Sequence, residues 1–203
     1  RVQGRNSAFS TTPFHLGLST AGGPCSAVTL DSFSSVATIT GSPDAAQTVI
    51  LTDGSRLTQS TGLGAKLDDL ALSTGGAVVD VSLSPRINAL NAQADLYTAC
   101  PYAKNLVAEA IREVVNSYRG AAETLQYVVI AGGDAVIPFF RYADSAGIGP
   151  ESDFVPPVND TTASQASLRR NYVLGQDAYG AISDLDLKGA VIPVPDLAVG
   201  RLV

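Results

Sequence analysis

The chain predicts an α/β domain: three layers, doubly wound, with helices on both faces of a mainly parallel four-stranded sheet. Two observations carry this. Thr48–Asp53, Ala77–Ser82 and Tyr127–Ala131 are short and apolar almost throughout, as strands covered on both faces must be. The segments between them change to a helical spacing of apolar residues, and strand–helix alternation implies a parallel sheet with right-handed crossovers.

The elements follow in order. Residues 1–46 are rich in Ser, Thr and Gly, interrupted by Pro13 and Pro24, and read as an irregular, β-leaning arm or the end of a preceding domain. Within it, Ser26–Asp31 and Ser35–Thr40 alternate apolar and polar residues like half-buried strands. Residues 47–203 form the α/β unit. Thr48–Asp53 is its first strand. Leu57, Leu63, Leu67, Leu70 and Ala71 then mark an amphipathic helix, weakened early by Gly62 and Gly64. Ala77–Ser82 is the second strand, and a loop of some fifteen residues follows.

A helix from about Tyr102 to Tyr118 is the clearest element. Leu106, Val107, Ala110, Ile111, Val114, Val115 and Tyr118 form its apolar stripe, with Lys104, Glu109, Arg112, Glu113 and Asn116 elsewhere on the wheel. Tyr127–Ala131 is the third strand and Asp196–Leu202 the fourth. The expected spatial order is Ala77–Ser82, Thr48–Asp53, Tyr127–Ala131, Asp196–Leu202. Between the last two lies a long irregular connection, Phe139–Pro195, in which Tyr172–Leu174 reads as one short strand, while Ile182–Lys188 reads equally as an exposed strand or, through Asp184 and Asp186, as a cation site.

Composition excludes several functions. The net charge is −6 and no basic run occurs, so neither nucleic acid nor an anionic membrane suits as the main partner. No stretch approaches the length of an apolar membrane-spanning helix, so no membrane insertion is expected. The absence of Met, even at position 1, reads as a processed chain or an excerpt. Cys25 and Cys100 read first as two unrelated small apolar residues. A disulfide between them fits an exporting context, but the sequence does not say whether they approach.

His15 is the only histidine, ten residues before Cys25 in the irregular arm, without the strand-end setting of a thiol–imidazole pair. No catalytic residue is therefore assigned. Gly132-Gly133 follows a strand but Pro138 comes at once, which argues against a dinucleotide-binding turn. Asp53, Asp134, Asp153 and Asp177 all fall after strands or in the long connection, at the edge where open parallel sheets gather ligands. Carboxylates without His or Cys partners suit a hard cation; solvated loop aspartates that cap turns are the other reading. Arg169-Arg170 reads as a surface pair, and Phe139-Phe140 as core packing or a seam against a second subdomain.

Four landmarks in order resemble the gingipain-type cysteine peptidases. They are Tyr127–Pro138, Ser152-Asp153, the Gly-x-Asp-x-Tyr element Gly175–Tyr179, and Val199-Gly200-Arg201. The resemblance covers residues 127–203 and implies the non-catalytic first subdomain of a secreted or surface-exposed bacterial endopeptidase. Its caspase-like partner subdomain, with the Cys/His dyad that cleaves protein or peptide substrates, would lie beyond this chain. It also implies calcium, held by Asp177, the Tyr179 carbonyl and Asp134, with Asp153 as a further acidic candidate. A peptidase-like module that has lost its chemistry, serving a large surface protein as a binding or structural part, is the alternative.

Overall fold

The computed structural model describes residues 23–29, 46–57, 62–121, 124–145, 148–157, 161–187 and 190–203. His15 and the Ser35–Thr40 segment fall outside them. Four strands, β1 (Thr48–Thr52), β2 (Gly76–Asp80), β3 (Tyr127–Ala131) and β8 (Ala198–Leu202), form one wholly parallel sheet in the order β2-β1-β3-β8. This is the expected α/β fold and the expected strand order. Each connection is a crossover, so the sheet is built from residues far apart in sequence.

Strand β1 is central and all five residues are buried. Val49 and Leu51 point into the larger core, and Ile50 points to the opposite face. Helix α1 (Leu63–Ser73) covers that second face through Leu67 and Ala71. Helices α2 (Pro85–Leu96) and α3 (Pro101–Ala121) cover the first. Every residue of the expected α3 stripe is buried, and full burial of such a side chain contributes roughly 1.5–3 kcal/mol.

The loop expected after β2 is instead a short 3₁₀ turn (Val81–Leu83) and helix α2. Ser84 caps α2 by accepting from the Ile87 N–H, and Pro85 occupies its first turn. Its buried face is Ile87, Leu90, Asn91 and Ala94, so a polar residue stands within the helical stripe.

The connection 139–195 carries more order than its composition suggests. Strands β4 (Phe140–Ala143) and β5 (Tyr172–Gly175) pair antiparallel, with the short helix α4 (Ala163–Leu168) between them. A 3₁₀ turn (Asp177–Gly180) leads into an antiparallel ribbon of β6 (Ala181–Leu187) and β7 (Ala190–Pro195). Phe140 is buried against Tyr142 and Tyr179, which resolves the aromatic pair as core packing rather than a seam. Phe139 is half buried under the Arg201 guanidinium, 4.0 Å from its ring centre.

The cysteines are paired. Cys25 and Cys100 form a disulfide across 75 positions, with Cα atoms 5.0 Å apart, and Cys100 is wholly buried beside the start of α3. The reading of two unrelated apolar residues is thus corrected. Residues 26–29 are also not strand: they turn back on themselves, with Ser26 N–H donating to Gly23 and Val28 N–H to Cys25. Thr29 is then held by Gln93 of α2, which accepts from both its N–H and its hydroxyl. Closing so long a loop restricts the unfolded chain by about 4 kcal/mol. Replacing both cysteines by Ala should lower the unfolding free energy in urea by about 2–4 kcal/mol, and an unchanged midpoint would refute a stabilising role.

Candidate functional site

Strand order reverses between β1 and β3, because the chain leaves β1 for β2 on one side and returns to β3 on the other. Open parallel sheets place ligands outside the carboxyl ends of such neighbours. Here that edge holds two ion-pair networks and a polar cleft of about 190 Å³, lined by Arg56, Asp95, Thr98, Lys104, Asp134 and Ser164 among others.

The first network grows from β1. Asp53 ends the strand fully buried, and its Oδ1 accepts from the Ser55 N–H and hydroxyl and from the Arg56 N–H at 2.6–3.2 Å. Its other oxygen accepts from Asn91 of α2 at 3.3 Å and lies 3.6 Å from Arg56 Nε. The turn thereby aims the rest of the Arg56 guanidinium outward, where both terminal nitrogens donate to the two oxygens of Asp95 at 3.2 and 2.5 Å. Lys104, in the first turn of α3, also faces Asp95, its ammonium 3.6 Å from Oδ1. Its side chain is only 6% exposed. Burial pulls the Lys104 ammonium below its ordinary pKa, which Asp95 partly offsets. Desolvation pushes the Asp95 carboxyl up, but the Arg56 hydrogen bond and the Lys104 charge bring it below its usual value.

The second network grows from β3. Gly132 has φ 117°, a backbone only glycine adopts freely, and a Cβ there would meet Val136 at 2.7 Å. This turn delivers Asp134, whose oxygens accept from Arg141 at 2.8 and 2.6 Å, from Ser164 at 2.5 Å and from the Phe139 N–H at 2.8 Å. The Arg141 side chain is completely buried, and its guanidinium also donates to the Phe139 carbonyl. Burial alone would raise the Asp134 carboxyl, but the Arg141 charge and these hydrogen bonds hold it below the ordinary aspartate value.

Three of the four motifs behind the family resemblance also meet here; Ser152-Asp153 stands apart, with Ser152 N–H donating to Asn171. Arg201 of β8 donates to the Gly132 and Ile137 carbonyls at 2.7 and 2.8 Å and to Gln176 at 3.0 Å. Tyr179 is wholly buried and donates its hydroxyl to the Pro138 carbonyl at 2.7 Å; burial pushes its pKa up. The turn after β3, the Gly-x-Asp-x-Tyr element and the Val-Gly-Arg strand thus interlock.

The four residues named for calcium are not gathered as ligands. Asp134 is committed to Arg141 and Ser164, while Asp153 and Asp177 are exposed on separate 3₁₀ turns. Among the described residues, no three of His, Cys, Asp or Glu surround one point as metal ligands would. Both cysteines are in the disulfide, so neither is a free thiol.

Sequence reasoning did not single out Arg56, Asp95, Lys104 or Arg141. One local signal was present: a lysine in the first turn of a helix opposes the helix dipole, so another requirement must hold Lys104 there.

Removing Asp134 leaves the buried Arg141 charge unpaired, so Asp134→Ala should cost about 3–5 kcal/mol in denaturant unfolding. Arg141→Met with Asp134→Leu should recover part of that loss, and equal loss in the double variant would refute the pairing. The Asp134 contribution is complete above about pH 4, the unfolded value, and is lost as pH falls through the lower folded value. Acid unfolding of Asp134→Asn should accordingly show a shallower dependence on pH below about 4.

Comparison of the chain with protein-family models, with curated proteins and with solved structures finds no match to any of them.

Proposed function

We propose that this chain is the supporting α/β subdomain of a secreted or surface-exposed bacterial cysteine endopeptidase of the gingipain type. The observation that carries this reading is the interlock of three of its four landmark motifs: Arg201 and Tyr179 together cap the carbonyls of Gly132, Ile137 and Pro138. Residues at these spacings have a shared physical task, which supports a common architecture over chance likeness.

Two further features agree with a supporting role. The chain has two cysteines and both are in the disulfide, so any peptidase thiol must come from other polypeptide. The disulfide itself suits an oxidising compartment. The sheet, moreover, is covered unevenly. Helix α1 packs over β1 and β2, whereas Tyr127, Ala198, Gly200 and Leu202 stay exposed on β3 and β8. Tyr127 and Leu202 are 47% and 52% exposed, and β8 is an open edge of the sheet. Parallel sheets are ordinarily covered on both faces, so this strip suits a caspase-like subdomain of the same protein.

The test uses the natural full-length polypeptide. It should cleave a peptide library in a reaction blocked by iodoacetamide, and residues 1–203 alone should cleave nothing. Tyr127→Asp and Leu202→Asp should leave residues 1–203 folded but lower the full-length melting temperature and peptide turnover. A full-length protein without thiol-dependent cleavage would favour the peptidase-like binding module, and one lacking His and Cys at later strand ends would establish it.

A further inference from the structure

Two cations converge on one carboxylate in the cleft between β1 and β3. The Arg56 fork takes both oxygens of Asp95, so Lys104 is left 3.6 Å from an oxygen already engaged, a longer approach than either Arg56 contact. A buried ammonium carries three donors and a large desolvation cost, which ordinarily demands hydrogen-bonded acceptors. Asp95 itself is 51% exposed, in the last turn of α2 at the mouth of the cleft. Its position resembles that of a ligand more than that of a fixed wall.

We propose that Arg56 and Lys104 form a receptor for a small monocarboxylate, which Asp95 occupies from within the chain until a ligand displaces it. The planar bidentate fork of Arg56 matches a carboxylate. The charge count favours a monoanion. Arg56 and Lys104 are balanced by Asp53 and Asp95, so a monocarboxylate replaces Asp95 one for one. A phosphate dianion would bring surplus negative charge beside Asp134. The volume of about 190 Å³ admits a small acid or the terminal residue of a peptide. This inference stands whether or not the peptidase reading holds.

Amide-detected NMR of the disulfide-bonded chain tests it, with sodium acetate, sodium phosphate and sodium chloride added at matched ionic strength. Acetate should produce saturable shifts at Thr98, Ala135 and Ser164, while chloride produces none that saturate. Asp95→Asn, which removes the internal competitor, should tighten acetate binding at least tenfold. Lys104→Met should abolish saturation, and Arg56→Lys, which keeps charge but loses the fork, should weaken binding in a chain that retains its fold. A blocked dipeptide with a free C-terminal carboxylate, compared with its amide, separates the sources. Stronger binding by the peptide acid than by acetate supports a peptide terminus as the ligand, and equal binding supports a free acid. No saturation in the wild type, saturation unchanged by Lys104→Met and Arg56→Lys, or tighter binding of phosphate than of acetate would overturn the proposal.

Discussion

The arrangement after β3 depends on the buried pair of Asp134 and Arg141. Arg141 is wholly inaccessible to solvent, and an unpaired guanidinium at that depth would cost more than most single contacts contribute. Meeting its needs draws in residues from distant parts of the chain. Asp134 fixes the glycine turn, Ser164 brings α4 to the sheet edge, and the Phe139 N–H locks the entry to β4. Asn105 of α3 contributes to the same stretch, accepting from the Arg141 N–H and donating to its carbonyl. The long connection is therefore ordered by electrostatics at its base rather than by a core of its own.

The two strand ends solve one problem in different ways. After β1, a buried aspartate folds the next turn around itself and presents Arg56 to solvent. After β3, the free carbonyls of the turn are satisfied by an arginine and a tyrosine reaching in from later elements. The first is local and the second depends on a turn and a strand placed 41 to 69 residues downstream. Both leave an arginine near the point where strand order reverses, and Arg56 of the first also lines the cleft.

Much of the fold was legible because the sheet is parallel and its strands aliphatic. Val49, Ile50 and Leu51 admit few environments other than a strand covered on both faces. The α3 stripe was equally plain. Helix α2 was not, since Asn91 stands where an apolar residue is expected and its role is to hold Asp53. The ribbon of β6 and β7 was half legible, through the alternation in Ile182–Lys188. The site was least legible. Asp134 was picked out as acidic and near a strand end, but sequence does not reveal that a buried arginine seven residues on would claim it. Lys104 was placed off the apolar stripe, and wheel position alone does not say that its side chain is only 6% exposed.

The disulfide has a consequence for the order of synthesis. Cys25 emerges long before Cys100, with β1, β2 and two helices made in the interval. Until α3 begins to form, the first thiol has no correct intramolecular partner and remains open to foreign ones. The correct bond can close only once the chain has advanced through residue 100, when two of the four strands of the sheet have been made. Cross-linking then tethers the arm to the start of a helix that packs against β4, which has yet to appear. In an oxidising compartment, synthesis of this protein therefore carries a lone cysteine through 75 residues before its partner arrives.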